Sequence, residues 1–261
     1  MSASGFVLFL HGDSSFVMWL GLGLAVVGFG LWMSNIVYEA TFLGKHTKRV
    51  QRGIVIGFGL FMVSETMFFV SFFWAFFHSS LAPAMEIGFL WPPQMEVMKF
   101  TGVPLANTAL LIGTVIPCNL ALKSLRATAL WTAIRALSGV ILMGVGFVIL
   151  QAWEYKTAKF TIADSIYGST FYALTGLHGL HVVGGLVFLS VGLVRAYWGH
   201  FSSARHLNVN FAVWYWHFVD VVWVLVYVWV YIWGGYGWTW DVHMFLVWLG
   251  VLSPEAEHIR W

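Results

Sequence analysis

Long apolar runs separated by short charged or turn-forming stretches dominate the chain, and the runs are apolar on every side rather than along one stripe. Stretches such as IVIGFGLFMV and VVWVLVYVWVYIW lack the alternation of a barrel strand and the polar face of a surface helix. In hydrocarbon each backbone amide must be satisfied inside its own segment, so such runs fold as helices. A core about 30 Å thick takes roughly 20 residues per helix. Charged residues bracket six runs, at 14–37, 53–77, 104–122, 128–152, 169–197 and 209–233. The expected fold class is all-α, a polytopic membrane helix bundle of six transmembrane helices in a single domain over 1–234, with 235–261 as a C-terminal extension. Within that extension the apolar run 242–252 is too short to span and fits a short interfacial helix. The connection 81–103 carries Trp91, Pro83, Pro92 and Pro93, and reads as a proline-stiffened loop at headgroup level.

Composition agrees with that reading and narrows it. The chain is 60% hydrophobic and 9% charged, whereas a soluble domain is about 45–50% apolar and about 25% charged. It cannot cover a globule with a water-compatible surface. A net charge of +2 and the absence of a basic run argue against a nucleic-acid partner. The cations mark orientation instead. Lys45, Lys48, Arg49, Arg52, Lys123, Arg126, Arg135, Arg195 and Arg205 lie on one face of the predicted topology; Lys99, Lys156, Lys159 and Arg260 lie on the other, which places both termini outside. The single cysteine, Cys118, excludes an intrachain disulfide and any multi-cysteine metal or iron–sulfur site. The first residues show neither a signal peptide nor a transit peptide.

Few residues could carry chemistry. Glu65 stands 12 residues into its predicted helix, roughly 18 Å deep. An acid there costs about 2.5–3.5 kcal/mol on insertion scales, so a proton relay, a lipid contact and a structural hydrogen bond to another helix are all open readings. His178 and His181 share one face of the fifth span, with Gly176, Gly179, Gly184 and Gly185 around them. Same-face histidines cannot sandwich a porphyrin, and His217 is the one plausible further ligand, so interhelical hydrogen bonding is favoured over metal. His217 and Asp220, at i and i+3, can pair. The surrounding Trp214, Trp216 and Trp223 read as an interfacial belt. Glu39, Lys45 and His46 could hold a phospholipid phosphate, although a positive-inside loop explains the cations without a site. No nucleotide-binding glycine loop and no nucleophile elbow is present.

The stretches EATFLGKHT, SETMFFVSFFWAFFHSSLAP, WPP, VPLANT, FTIADSIYGSTFYALTGLHGLHVVGG and WYWHFVDVVW occur in that order between residues 39 and 234. Together they resemble subunit III of the cytochrome c oxidases, in its mitochondrial rather than bacterial form. The resemblance implies a non-redox core subunit of respiratory complex IV in the mitochondrial inner membrane, the bacterial plasma membrane being the alternative. Such a subunit packs on catalytic subunit I beside other subunits. It holds phospholipids of the phosphatidylglycerol, phosphatidylethanolamine or cardiolipin type in an interhelical cleft, and it supports proton uptake and turnover stability. Haem a and copper reside in partner subunits, which together reduce oxygen to water with electrons from cytochrome c; no metal and no catalytic residue is expected in this chain. By the same resemblance Glu65 matches the family's intramembrane acid, Glu39, His46, Arg195 and His206 match positions at or near the lipid cleft, and His178, His181, His217 and Asp220 become structural polar residues.

The chain also departs from the family pattern. By the resemblance the family has seven helices, two of them ahead of EATFLGKHT, whereas this sequence has room for one there, so the family's first helix is expected to be absent here or supplied by a separate polypeptide. Asn119 and Pro117 stand where a histidine pair is usual, and Tyr38 and Asn210 replace an Arg and a Glu. A b-type haem anchor using His178, His181 or His217 and a proton-translocating transporter built on Glu65 are the competing functions. The transporter reading is weakened because paired broken helices are missing.

Overall fold

The computed structural model describes residues 1–236 except 13, 94 and 204, so the expected interfacial helix at 242–252 lies outside the described residues. The described residues form helices and no strand, apart from an isolated bridge between Ser202 and Arg205. Among the described residues six helical segments are long and apolar enough to cross a membrane: Phe16–Thr41, Lys48–Leu81, Val103–Arg126, Leu130–Thr157, Ile166–Tyr197 and Leu207–Trp233. Each overlaps one of the six predicted runs; most extend past it by a few residues at one or both ends, where polar flanks continue the helical turns, while the first and fourth begin two residues later than predicted.

The chain divides into two compact units, residues 1–60 and 61–261. In the first, helix α1 (Ser2–Leu10) folds back on α2 (Phe16–Thr41). The hairpin is antiparallel, since Gly5 lies against the Met18 backbone and Gly21 against the Ser2 backbone. Only glycine admits such proximity, because a Cβ at either site would overlap main chain. At nine residues α1 is too short to span, so the pattern of long apolar runs does not reveal it. The α2 segment ends at Thr41, and Lys45 N–H donates to the Glu39 carbonyl before α3 (Lys48–Leu81) begins.

In the second unit α4 (Val103–Gly113) and α5 (Val115–Arg126) form one interrupted span. Pro117 explains the interruption: it has no N–H to give, and its ring crowds the carbonyl four residues back, at Gly113, where α4 ends. Helix α6 (Leu130–Thr157) packs on α4, α5 and α7 (Ile166–Tyr197), and α7 packs on α8 (Leu207–Val226). Ser165 caps α7 by accepting the Gly168 N–H at 3.2 Å. Beyond α8 the chain continues as a π-helical segment, Tyr227–Trp233, and a short α9 (Gly234–Tyr236). The core gathers around the last span, in which 56% of the most apolar window is buried, against 6% for that of α3.

Trp216 and Trp223 are fully buried in that core, whereas Trp214 is exposed. The belt reading therefore fails for the first two. They share the inward face of α8 with Val209, Ala212, Val219 and Val226, spaced three and four apart. Trp216 wedges between α6 and α7. A Cβ on Gly144 would stand 2.6 Å from its Cη2, and one on Gly185 would stand 2.9 Å from its Cε3. Each indole N–H is satisfied across the bundle, Trp216 donating to Thr114 Oγ1 at 2.8 Å and Trp223 to Thr108 Oγ1 at 3.0 Å.

Candidate functional site

Glu65 occupies the midpoint of the 34-residue α3, and its carboxyl reaches α7, where Oε2 lies 2.8 Å from His181 Nε2. The other ring nitrogen, His181 Nδ1, lies 2.8 Å from the Leu177 carbonyl. A carbonyl only accepts, so Nδ1 carries a hydrogen. Nε2 then either accepts a hydrogen bond from a neutral Glu65 or donates one to its carboxylate. Either way a single proton lies between the two side chains, and each uses it to satisfy the other. The site is nearly closed, with side-chain exposures of 21% for Glu65 and 11% for His181. Aromatic rings wall it: Phe69 lies 4.7 Å from the imidazole centroid, and the Tyr215 ring stacks at 6.3 Å both from that imidazole and from Phe61.

This bond is a polar bridge between α3 and the rest of the second unit. Aromatic pairs supply further α3 contacts, Phe69 with Phe218 at 5.9 Å, Phe76 with Trp91 at 5.6 Å and Phe77 with Trp229 at 5.3 Å. Linear sequence could single out Glu65 for its depth and His181 for its neighbours. Their pairing, 116 residues apart, required the fold.

His178 lies one turn from His181, fully buried between the Phe147 ring at 5.7 Å and the Trp223 ring at 5.1 Å. His217 Nδ1 stands 3.5 Å from Asp220 Oδ2, with Asp220 buried midway along the last span and His217 half-buried. Among the described residues no three His, Cys, Asp or Glu side chains gather as a metal ion would require.

The remaining predicted residues fall into separate groups. In the first unit Glu39 stands near the end of α2, and the His46 carbonyl accepts a bond from Gln51 Nε2 at 2.9 Å. In the second, Arg195 lies in the last turn of α7 with its guanidinium over the Phe201 ring at 4.8 Å. His206, buried at the start of α8, bonds the Ser202 carbonyl through Nδ1 at 3.1 Å. The α7–α8 loop is thus folded tightly, and it brings a cation and an imidazole to one end of the unit.

One polar cluster was not foreseen. At the α6–α7 end, Asn107 Nδ2 donates to Gln151 Oε1 at 3.3 Å, Gln151 Nε2 donates to the Tyr231 hydroxyl at 3.4 Å, and that hydroxyl donates to Glu154 Oε1 at 2.6 Å. Gln151 and Glu154 share a helix face at i and i+3 within QAWEY, a signal available in the sequence. Tyr231 lies inside an apolar run and could not be assigned a partner from it.

Residues 1–235 match the sequence profile of the family described as "Cytochrome c oxidase subunit III". Among curated proteins the chain is similar to "Cytochrome c oxidase subunit 3" of Paracentrotus lividus, 48% identical over 223 residues, covering 85% of this chain and 85% of that one. It is similar to the protein of the same name from Pisaster ochraceus, 47% identical over 228 residues and 87% of each chain. The corresponding protein of Didelphis virginiana is 47% identical over 234 residues, 89% of this chain and 83% of that one.

Proposed function

The chain belongs to the cytochrome c oxidase subunit III family, and from that premise we propose that its intramembrane polar residues hold helices and lipids in place while neighbouring subunits carry the electrons. It is a multi-pass protein of the mitochondrial inner membrane and a subunit of an oxidoreductase complex. Within that complex it packs beside the catalytic subunit, and haem a and copper in the partner subunits perform the reduction of oxygen. The observation that carries the reading is the Glu65–His181 bond. A carboxyl whose single exchangeable proton is already shared with a neighbouring imidazole, behind aromatic walls, brackets α3 to α7; an open relay would present its acid to a wire of water or side chains.

His178 supports the same assignment. Its ring is fully buried and flanked by Phe147 and Trp223, as a packed core imidazole would be. His217 and Asp220 pair locally, which offsets the cost of sinking either. Lipid headgroups of the phosphatidylglycerol, phosphatidylethanolamine or cardiolipin type suit Arg195 and His206 at one end of the second unit and Glu39 and His46 in the first. A guanidinium matches phosphate bidentately, and an imidazole or a carboxylate suits an ammonium or a headgroup hydroxyl. Retention of such lipids sustains proton uptake and turnover by the catalytic subunit. Purifying the complex through a tag on this chain, then measuring cytochrome c oxidation and phospholipid per complex, tests the proposal. Oxidase activity and bound phospholipid should co-purify. A tagged chain free of other oxidase subunits, or a haem Soret band that stays with the separated chain, would contradict it.

A further inference from the structure

Four buried polar atoms at the α6–α7 end have no hydrogen-bond partner among the described residues: Glu154 Oε2, Asn107 Oδ1, Trp91 Nε1 and the Tyr167 hydroxyl, which lies beside the Met98 backbone without a well-formed bond to it. Their residues are almost wholly enclosed, at 2% exposure for Glu154, 0% for Asn107, 7% for Trp91 and 0% for Tyr167. They also belong to one place. Asn107 and Glu154 are the two ends of the chain of bonds through Gln151 and Tyr231. Tyr167 lies within electrostatic reach of Glu154, and its ring is 5.6 Å from that of Trp91.

The surroundings are built to enclose this point. Trp91 comes from the loop between α3 and α4, and that loop is tied down at several positions. Lys159 Nζ holds both Glu96 carboxylate oxygens at 2.9 Å, Ser165 Oγ meets Met95 Sδ at 3.2 Å, and the Tyr227 hydroxyl donates to the Phe100 carbonyl at 3.2 Å. The π-helical segment contributes as well. At about 100° per residue an α-helix would carry Tyr231 roughly 80° away from the face of Trp223. The wider turn over Tyr227–Trp233 takes up the excess and returns Tyr231 to the interior, onto Glu154.

The unmatched atoms comprise two acceptors, the Glu154 and Asn107 oxygens, and two donors, the indole N–H and the tyrosine O–H. Water offers two hydrogens and two lone pairs, which is the same set in complement. A bare cation would suit the two oxygens but would face the positive end of the Trp91 N–H. The geometry points to an internal water-binding site between Glu154, Asn107, Tyr167 and Trp91. The water donates to Glu154 Oε2 and Asn107 Oδ1 and accepts from Tyr167 and Trp91. It thereby closes the run Asn107, Gln151, Tyr231, Glu154 into a ring. That ring joins α4, α6, α7, the π segment and the covering loop at the end that the charge count places outside.

A map of the intact oxidase at a resolution that shows ordered waters tests this directly. The expected result is a peak at about 2.6–3.2 Å from atoms of at least three of the four residues. The water should also give an O–H stretching band that shifts in oxygen-18 water and is lost in the Glu154→Leu enzyme. The assignment is overturned by direct pairing of the four groups in a dry site, or by a peak that touches oxygens alone at about 2.3–2.6 Å, as a calcium-like cation would. Where Glu154→Leu does not assemble, the map of the unaltered enzyme decides alone.

Discussion

Replacing Glu65 by Gln and by Ala separates two ways of holding α3. With His181 Nδ1 committed to the Leu177 carbonyl, a neutral Glu65 donates to Nε2, and a glutamine amide can make the same donation. Glu65→Gln should therefore keep the 2.8 Å contact and change the stability of the assembled subunit by less than about 0.5 kcal/mol. Glu65→Ala removes the donor and leaves the 11%-exposed imidazole with an unmatched nitrogen. Interhelical bonds in membranes average about 0.6 kcal/mol with a maximum near 1.7, and an orphaned buried acceptor costs about 1–3 kcal/mol, so a loss of roughly 1–2 kcal/mol is expected. In the equilibrium between docked and released subunit that is roughly a ten-fold change. Thermal dissociation of the purified oxidase, followed by retention of this chain at a fixed detergent concentration, measures it. A double cycle with His181→Leu should return a coupling of about 0.6 kcal/mol or more. Equal damage from Gln and Ala would show that a charged pair is needed, and silence of both would show that the bond does not hold the helix.

Three further outcomes follow from the packing. Gly144→Leu drives a side chain into Trp216 and Leu186, whose atoms would lie 2.6 and 2.7 Å from the new Cβ; it should lower stability by about 1–3 kcal/mol, while Gly179→Ala, with nothing within 4 Å, should melt with the parent. Lys159→Ala breaks an ion pair whose partners are 69% and 62% exposed and should shift stability by less than about 1 kcal/mol in the same thermal assay. Arg195→Ala should lower the phospholipid retained per complex, read by lipid mass spectrometry, with the haem spectrum unchanged.

Much of the architecture was legible because the bilayer imposes a length on every spanning helix. Six apolar runs became six candidate spans, while the break between α4 and α5 lies inside a run expected to be continuous and is explained by Pro117. The α1 helix escaped because nine residues fall below any spanning window. Tryptophans misled for a different reason. Trp216 and Trp223 look like headgroup anchors in composition, but their three- and four-residue spacing with small residues on α8 sets them inward, where Thr114 and Thr108 meet their N–H groups. Depth alone made Glu65 conspicuous. Glu154 stands near a helix end, where an acid draws no notice, and its bond to Tyr231 and its burial emerge only from the fold.

The most direct measurement is the proton-to-electron ratio of the Glu65→Gln oxidase during its first turnovers in sealed vesicles. If Glu65 brackets helices and supports lipid retention, pumping begins at the parental ratio and cytochrome c oxidation starts at the parental rate. Pumping absent from the first turnover, with oxygen still being reduced, would mean that the proton between Glu65 and His181 travels.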